Sequence, residues 1–333
     1  MNLRFLFSKD KSPIHPKNQD AYLVSSNGDT TALIIADGHG GAPYVRSSMG
    51  SRIACLAAMK AVDSHLMGDE LKAAIKDGFD RLVKKHIRLR PFEEWELQKL
   101  GNRSRIDAYG TTLLLVIIHP TFTECLQLGD GGLHLIGVDG RFTLPLPKDP
   151  DCMGNITSSM CYDRADAIRH MRNMTISQPI AAAVLFTDGY IHKTDQPYEL
   201  VEILDGKEED ILHHFTEILK KGRRGDDQTC IFVYDYDIVV SERFQEGLAR
   251  TIEEGEITSR KEILECEISR LQHEIDNVKA FANQFLKQNK PNKAAALLDL
   301  LQPDIATLNS LKLEYSAITS DFKTSSLSRR NKS

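Results

Sequence analysis

Four acidic strand ends carry the chemistry of this chain. Asp37 closes the apolar run TALIIAD, Asp188 closes AAAVLFTD, Asp226 and Asp227 stand directly before QTCIFVY, and Asp20 precedes AYLV. A single Asp-Gly after a strand is an ordinary turn. Turn chemistry explains each pair but not the choice of Asp at all four ends, and carboxylates brought together repel unless a cation neutralises them. Hard divalent ions such as Mg²⁺ or Mn²⁺ take oxygen ligands and keep several waters, so a few Asp and one backbone carbonyl suffice. Gly38 suits that account, because without a Cβ its carbonyl can approach an ion closely. The pattern predicts two metals sharing one carboxylate.

Rival chemistries leave no trace. No cysteine is followed by Arg at the sixth position after it, as a cysteine phosphatase loop requires, and neither a GxxxxGK[ST] loop nor an HRD-type loop occurs. The six cysteines show no CxxC pair and no zinc spacing, and they read as reduced, mostly buried thiols of a cytoplasmic protein. With 42 basic and 47 acidic side chains the formal charge is −5, which argues against a nucleic-acid surface. The longest apolar stretch, LLLVII, is strand-sized, so no membrane span is expected, and MNLRFLFSKDKSP is charged too soon for a secretory signal.

Strands must position these carboxylates. AYLVSS, TALIIAD, TTLLLVII, TECLQLG, LHLIGV, AAVLFTD and TCIFVYDY read as strands that often follow one another directly, which favours antiparallel pairing. A helical region runs from about Tyr44 to Arg90, and residues 91 to 108 and 145 to 180 read as long, irregular loops of the functional or mobile kind. After Tyr236 the strand pattern stops. Ile257, Leu264, Ile268, Leu271, Ile275, Val278, Ala282 and Phe285 follow a coiled-coil-like seam, Pro291 breaks it, and Leu298, Leu301, Ile305, Leu308 and Tyr315 resume it. This predicts a helical hairpin over about 245 to 320 and a disordered tail SSLSRRNKS. The domain reading is 1–240, then an appendage over 241–320, then a tail over 321–333. Plain internal packing of the hairpin and a partner-binding or self-associating role are both open, since heptads do not name what fills the seam.

The ordered motifs NQD, DGHGG, YGTT, LGDGG, FTDG and GDDQT, spread over residues 10 to 236, resemble those of the PPM-type, or type 2C, metal-dependent serine/threonine protein phosphatases. The resemblance implies an α+β fold, an α/β/β/α sandwich of two antiparallel sheets flanked by helices, with the C-terminal hairpin outside it. It implies two Mn²⁺ or Mg²⁺ ions, with Asp37 bridging them and the Gly38 carbonyl a ligand of one. Asp188 and Asp226 would bind the other ion, and Asp20 would reach the site through metal-bound water. Asp227, Thr111 and Thr112 would support the site from behind. His39 matches the general acid toward the leaving alkoxide, a role that suits imidazolium near neutral pH.

The implied reaction is hydrolysis of phosphoserine and phosphothreonine by a metal-activated water, on phoshoprotein substrates that a cognate Ser/Thr kinase would supply. Several positions depart from the common pattern. Gln19-Asp20 replaces Glu-Asp, Gly129-Asp130-Gly131 replaces Gly-Asp-Ser, and the phosphate-binding Arg is absent, leaving His15 and Lys17 as nearby candidates without a bidentate fork. These departures resemble a bacterial branch built on Gln-Asp. The runner-up is a pseudophosphatase that holds a partner through the hairpin; a phosphatase for a small phosphorylated metabolite is a third reading.

Overall fold

A computed structural model describes residues 1–146, 149, 152, 157–190, 202–204, 208–219 and 225–330. Among them, two five-stranded sheets form, every ladder antiparallel. One runs β1 (Leu3–Asp10), β10 (Gln228–Asp235), β9 (Ile180–Phe186), β6 (Gly132–Gly137), β7 (Phe142–Thr143); the other runs β2 (Ala21–Asn27), β3 (Thr30–Ala36), β4 (Leu113–Ile118), β5 (Thr123–Leu128), β8 (Arg172–Ile176).

The central strands are apolar on both faces because both faces are covered. Leu33, Ile35, Leu114, Val116, Leu185, Ile231 and Val233 fill the space between the sheets. Their neighbours Ala32, Ile34, Leu113 and Leu115 face the other way, onto Ile53 and Ala57 of α1 (Ser47–Val62) and Ile75 and Phe79 of α2 (Gly68–Leu89). On the outer face of the β1-β10-β9-β6-β7 sheet, Val184, Phe232 and Tyr234 pack with Phe215 of the helix Glu208–Leu219 and with Phe244 and Leu248. This is the sandwich expected from the motifs, with Asp20, Asp37, Asp188 and Asp226 standing at ends of β2, β3, β9 and β10.

Three strands escape the sequence pattern. β1 pairs with β10 from Leu3↔Asp235 to Asp10↔Gln228, but as an edge strand it mixes apolar and charged residues. β7 is two residues long, and β8 is largely exposed. The supposed irregular loops are also more ordered than expected. Residues 91 to 108 contain α3 (Glu94–Leu100), opened by a reciprocal capping box between Glu93 and Glu96, and lead into a 3₁₀ turn at Asp107–Tyr109. Residues 145 to 180 contain α4 (Arg164–His170) and β8, although 147, 148, 150, 151 and 153–156 lie outside the described residues.

The chain divides into two compact units, Met1–Ile252 and Glu253–Ser333, where the domain reading from sequence ends the first at 240. The helix Glu242–Lys287 begins in the first unit, where Phe244 and Leu248 are buried in the core. In the second unit it is followed by helices Pro291–Leu300 and Gln302–Arg330, the first starting on its proline. Leu271 and Ile275 pack against Leu301 and Leu308, and Arg260 donates to Glu314 across the two arms at 2.6 Å. The seam is therefore filled within the hairpin, except that Leu298 is exposed and Ala294 is buried in its place. Helix continues through residues 321–330, where a disordered tail was expected; residues 331–333 lie outside the described residues. Among the described residues, no helix is long and apolar enough to cross a membrane. All six cysteines are free thiols.

Candidate active site

Strand β3 delivers Asp37, and the YGTT segment grips it. Asp37 N donates to Thr112 Oγ1 at 3.0 Å, while Thr112 N and Thr111 Oγ1 donate to the Asp37 carbonyl at 2.8 and 2.7 Å. One residue on, Gly38 bridges Thr111 and His39 N donates to the Gly110 carbonyl at 3.1 Å. The main chain of DGH is thus fixed and its side chains are presented. Gly38 is required by crowding: a Cβ there would lie 2.7 Å from the Gln19 carbonyl oxygen and 2.8 Å from that of Ser47.

Pairing of β9 with β10 joins the other acidic ends. Thr187 N donates to the Thr229 carbonyl at 3.0 Å, which sets Asp188 beside the Asp226-Asp227 pair. Asp188 opens a 3₁₀ turn, Asp188–Tyr190, and Gly189 runs so close under Asp227 that a Cβ would sit 1.9 Å from its carbonyl oxygen. Gly189 therefore serves a main-chain crossing. Asp20 lies behind, buried, its Oδ2 accepting from Thr187 Oγ1 at 2.9 Å.

Asp227 acts as an anchor. Its buried carboxylate accepts from Ser12 N and Gln19 N, both at 2.7 Å, and pairs with His15 Nδ1 at 3.1 Å. It holds the strap 12–19 against the site. That strap brings Gln19 to Ser47, with Nε2 donating to Oγ at 2.9 Å, and sets His15 Nε2 near Gly40. Lys17 is exposed and makes no hydrogen bond or ion pair among the described residues.

Electrostatics identify where charge is uncompensated. The Asp37 carboxyl is pushed well above its ordinary range by burial and by the nearby charges of Asp20 and Asp188. Burial raises Asp20 to about 6 and also raises Asp226, the latter helped by Asp188. Asp130, overlooked in the sequence, belongs to the same field: surrounding protein, then Asp188 and Asp226, push its carboxyl up. Although its side chain reaches solvent, Thr157 Oγ1 holds it at 2.9 Å. The signal lies in TECLQLGD, a further strand-like run that ends in Asp, although in the motif comparison Asp130 figures only within the Gly129-Asp130-Gly131 departure. Burial lowers His39 to about 4, partly offset by Asp188, and Tyr44 packs edge-on against its ring at 4.9 Å.

Oxygen donors, several carboxylates and one buried orphan suit a hard divalent cation. Asp20 Oδ1 is buried without a hydrogen-bond partner, and Asp37 carries charge that its neighbours only worsen. A cation would relieve both. In the arrangement described, however, no three His, Cys, Asp or Glu side chains among the described residues converge on one point. The donor chemistry fits a hard cation.

Known proteins share both the fold and the sequence pattern of this acidic end. The protein phosphatase 2C family model matches residues 15–222, well over half of the 333-residue chain, so the chain belongs to that family of protein serine/threonine phosphatases. Asp226 and Asp227 lie just past the matched residues. A bacterial serine phosphatase structure is 15% identical with a TM-score of 0.51, covering 70% of this chain and 98% of its own. Stp1 from Staphylococcus aureus, a serine/threonine phosphatase, is also 15% identical with a TM-score of 0.51, covering 70% of this chain and 94% of its own. At that identity the likeness speaks to the fold. No curated protein sequence matches the chain.

Proposed function

We propose that this protein hydrolyses phosphoserine and phosphothreonine in phosphoproteins with two Mn²⁺ or Mg²⁺ ions held at the acidic end of the sandwich. The observation that carries the reading is the crowding of Asp20, Asp188 and Asp226 around Asp37, together with the orphaned Asp20 Oδ1. Asp37, Asp188, Asp226 and the Gly38 carbonyl would hold the ions directly, with Asp20 behind them and Asp130 at the rim. Such ions supply a low-pKa water and neutralise charge on the phosphoryl oxygens.

The chain's own residues do the rest. Thr111 and Thr112 keep Asp37 aimed, Asp227 holds the strap that carries Gln19 and Asp20, and His15 faces the DGHGG loop where a phosphate oxygen would lie. His39 gives its proton to the leaving alkoxide. With a pKa near 4 it is neutral at pH 7 before substrate arrives, so the phosphate dianion must raise it, as an adjacent negative charge does for imidazole. The Gln19-Asp20 pair supports membership of a Gln-Asp bacterial branch, with a cognate kinase as the source of substrate and the hairpin as a docking appendage.

Calorimetric titration with Mn²⁺ tests the centre: two bound ions are expected, and none would leave a pseudophosphatase that uses the fold to hold a partner. Asp37→Asn is expected to abolish hydrolysis of p-nitrophenyl phosphate with the fold intact. His39→Ala is expected to hurt phosphopeptides more than this aryl ester, whose leaving group needs no proton; equal losses would remove the acid role.

A further inference from the structure

Outside the acidic end, the surface between α2 and α4 carries cations left unpaired among the described residues. An open groove of about 850 Å³ is lined by Asp77, Asp80, Arg81, Lys84, Arg88 and Arg164, with Ile87 on its floor. The two acids are already engaged. Arg164 forks onto Asp77, Nε to Oδ1 at 2.7 Å and a terminal nitrogen to Oδ2 at 3.1 Å, and Lys76, itself buried, pairs with Asp80. Arg81, Lys84 and Arg88 make no hydrogen bond or ion pair among the described residues, beyond the longer-range pull of Asp77 on Arg81. They follow at i, i+3 and i+7, so they share one face of α2. A chain with net charge −5 thus concentrates three unanswered cations in one groove.

The groove is tied to the catalytic segment on both sides. From α2, His86 Nδ1 meets the Tyr109 hydroxyl at 2.7 Å; ahead of α4, Met160 N donates to the Thr111 carbonyl at 2.8 Å. Tyr109 to Thr111 is the stretch that holds Asp37 and His39. We propose that this groove binds an acidic segment of the phosphoprotein, flanking the residue to be dephosphorylated. Arg81 to Arg88 spans about 10 Å along the helix, which an extended chain covers in about three residues. The sequence recognised would therefore carry two or three Asp or Glu within four positions. The inference rests on the phosphatase reading above and names the substrate that site would prefer.

The test uses the full chain with Mn²⁺, p-nitrophenyl phosphate, and two phosphoserine peptides differing only in Glu or Ala at the flanking positions. The Glu peptide is expected to show about tenfold higher kcat/KM, through KM, as three exposed charge pairs would give, and the gap should close in high salt. Arg81→Gln/Lys84→Gln/Arg88→Gln should erase the preference and leave p-nitrophenyl phosphate turnover unchanged; the single changes should each lose part of it, should the triple variant fold poorly. Equal KM for both peptides, or a preference that survives the triple change, overturns the groove while the phosphatase stands. If p-nitrophenyl phosphate is not hydrolysed, the phosphatase reading fails, and fluorescence anisotropy of the unphosphorylated Glu peptide still decides the groove. Tighter binding of a single-stranded oligonucleotide than of that peptide would overturn it too.

Discussion

Asp227→Asn isolates the anchor from the catalytic carboxylates. Asp227 is 2% exposed and satisfies Ser12 N, Gln19 N and His15 Nδ1 with two oxygens. An amide keeps one oxygen and places an NH₂ where the other stood, so one main-chain N–H faces a second donor. A buried donor left unmet costs about 1–3 kcal/mol, and a hydrogen bond to a charged group is worth about 1.5–3 kcal/mol. The net loss is about 3 kcal/mol, against the ~5–15 kcal/mol that holds a typical domain together. His15→Ala removes one of the three bonds, from a side chain 20% exposed, and should cost about 1 kcal/mol. Urea unfolding gives the two costs, and hydrogen exchange at the Ser12 and Gln19 amides shows whether the strap is what opens. Because the strap carries Gln19 and Asp20, turnover of p-nitrophenyl phosphate should fall at least tenfold in Asp227→Asn, a barrier change of about 1.4 kcal/mol. Equal unfolding midpoints for Asp227→Asn and wild type would refute the anchoring argument. So would a His15→Ala cost as large as that of Asp227→Asn, since the ion pair and not the main-chain clamp would then carry the strap.

Three further outcomes follow from the same geometry. Gly38→Ala and Gly189→Ala each drive a Cβ into a main-chain carbonyl, at 2.7 and 1.9 Å, so both should lose metal affinity by calorimetry, Gly189→Ala the more severely. Truncation after residue 240 removes Phe244 and Leu248, both fully buried, at about 1.5–3 kcal/mol each, whereas truncation after Ile252 spares them; thermal melts of the two fragments should differ accordingly, and equal melting temperatures would contradict that packing. For pH, the folded state holds the Asp20 proton up to about 6 against 3.8 in the unfolded chain, so between these values the native state binds more protons and its stability falls as pH rises. Without metal the protein should therefore melt lower at pH 7 than near pH 4.5 from this group, and Mn²⁺ should raise the melting temperature more at pH 7; a metal shift that is the same at both pH values would argue against Asp20 facing the ion.

Much of the site could be read from local signals. Asp37, Asp188, Asp226 and Asp20 stand at the ends of apolar runs, and a run buried on both faces, such as β3 or β9, announces itself without a partner. Edge strands give no such signal: β1 and β8 are half wet, and only their pairing with β10 and β5 makes them strands. Gly189 shows the limit most clearly. After an apolar strand it reads as a turn residue, yet the structure needs it because Asp227, 38 positions away by number, passes across its backbone.

Sequence alone determined the acidic strand ends, the antiparallel strands and the break at Pro291, because carboxylate placement, strand burial and a missing N–H are local properties of residue types; the sandwich was implied by the family resemblance of the ordered motifs. Tertiary structure alone decided which residues work together: Asp227 as anchor to the strap 12–19, Asp130 in the field of Asp188 and Asp226, Thr111 and Thr112 as the grip on Asp37, and Arg81, Lys84 and Arg88 as an open basic groove. Each depends on distances between segments far apart in the chain, and on which charges other side chains have already neutralised. No spacing along a sequence encodes either.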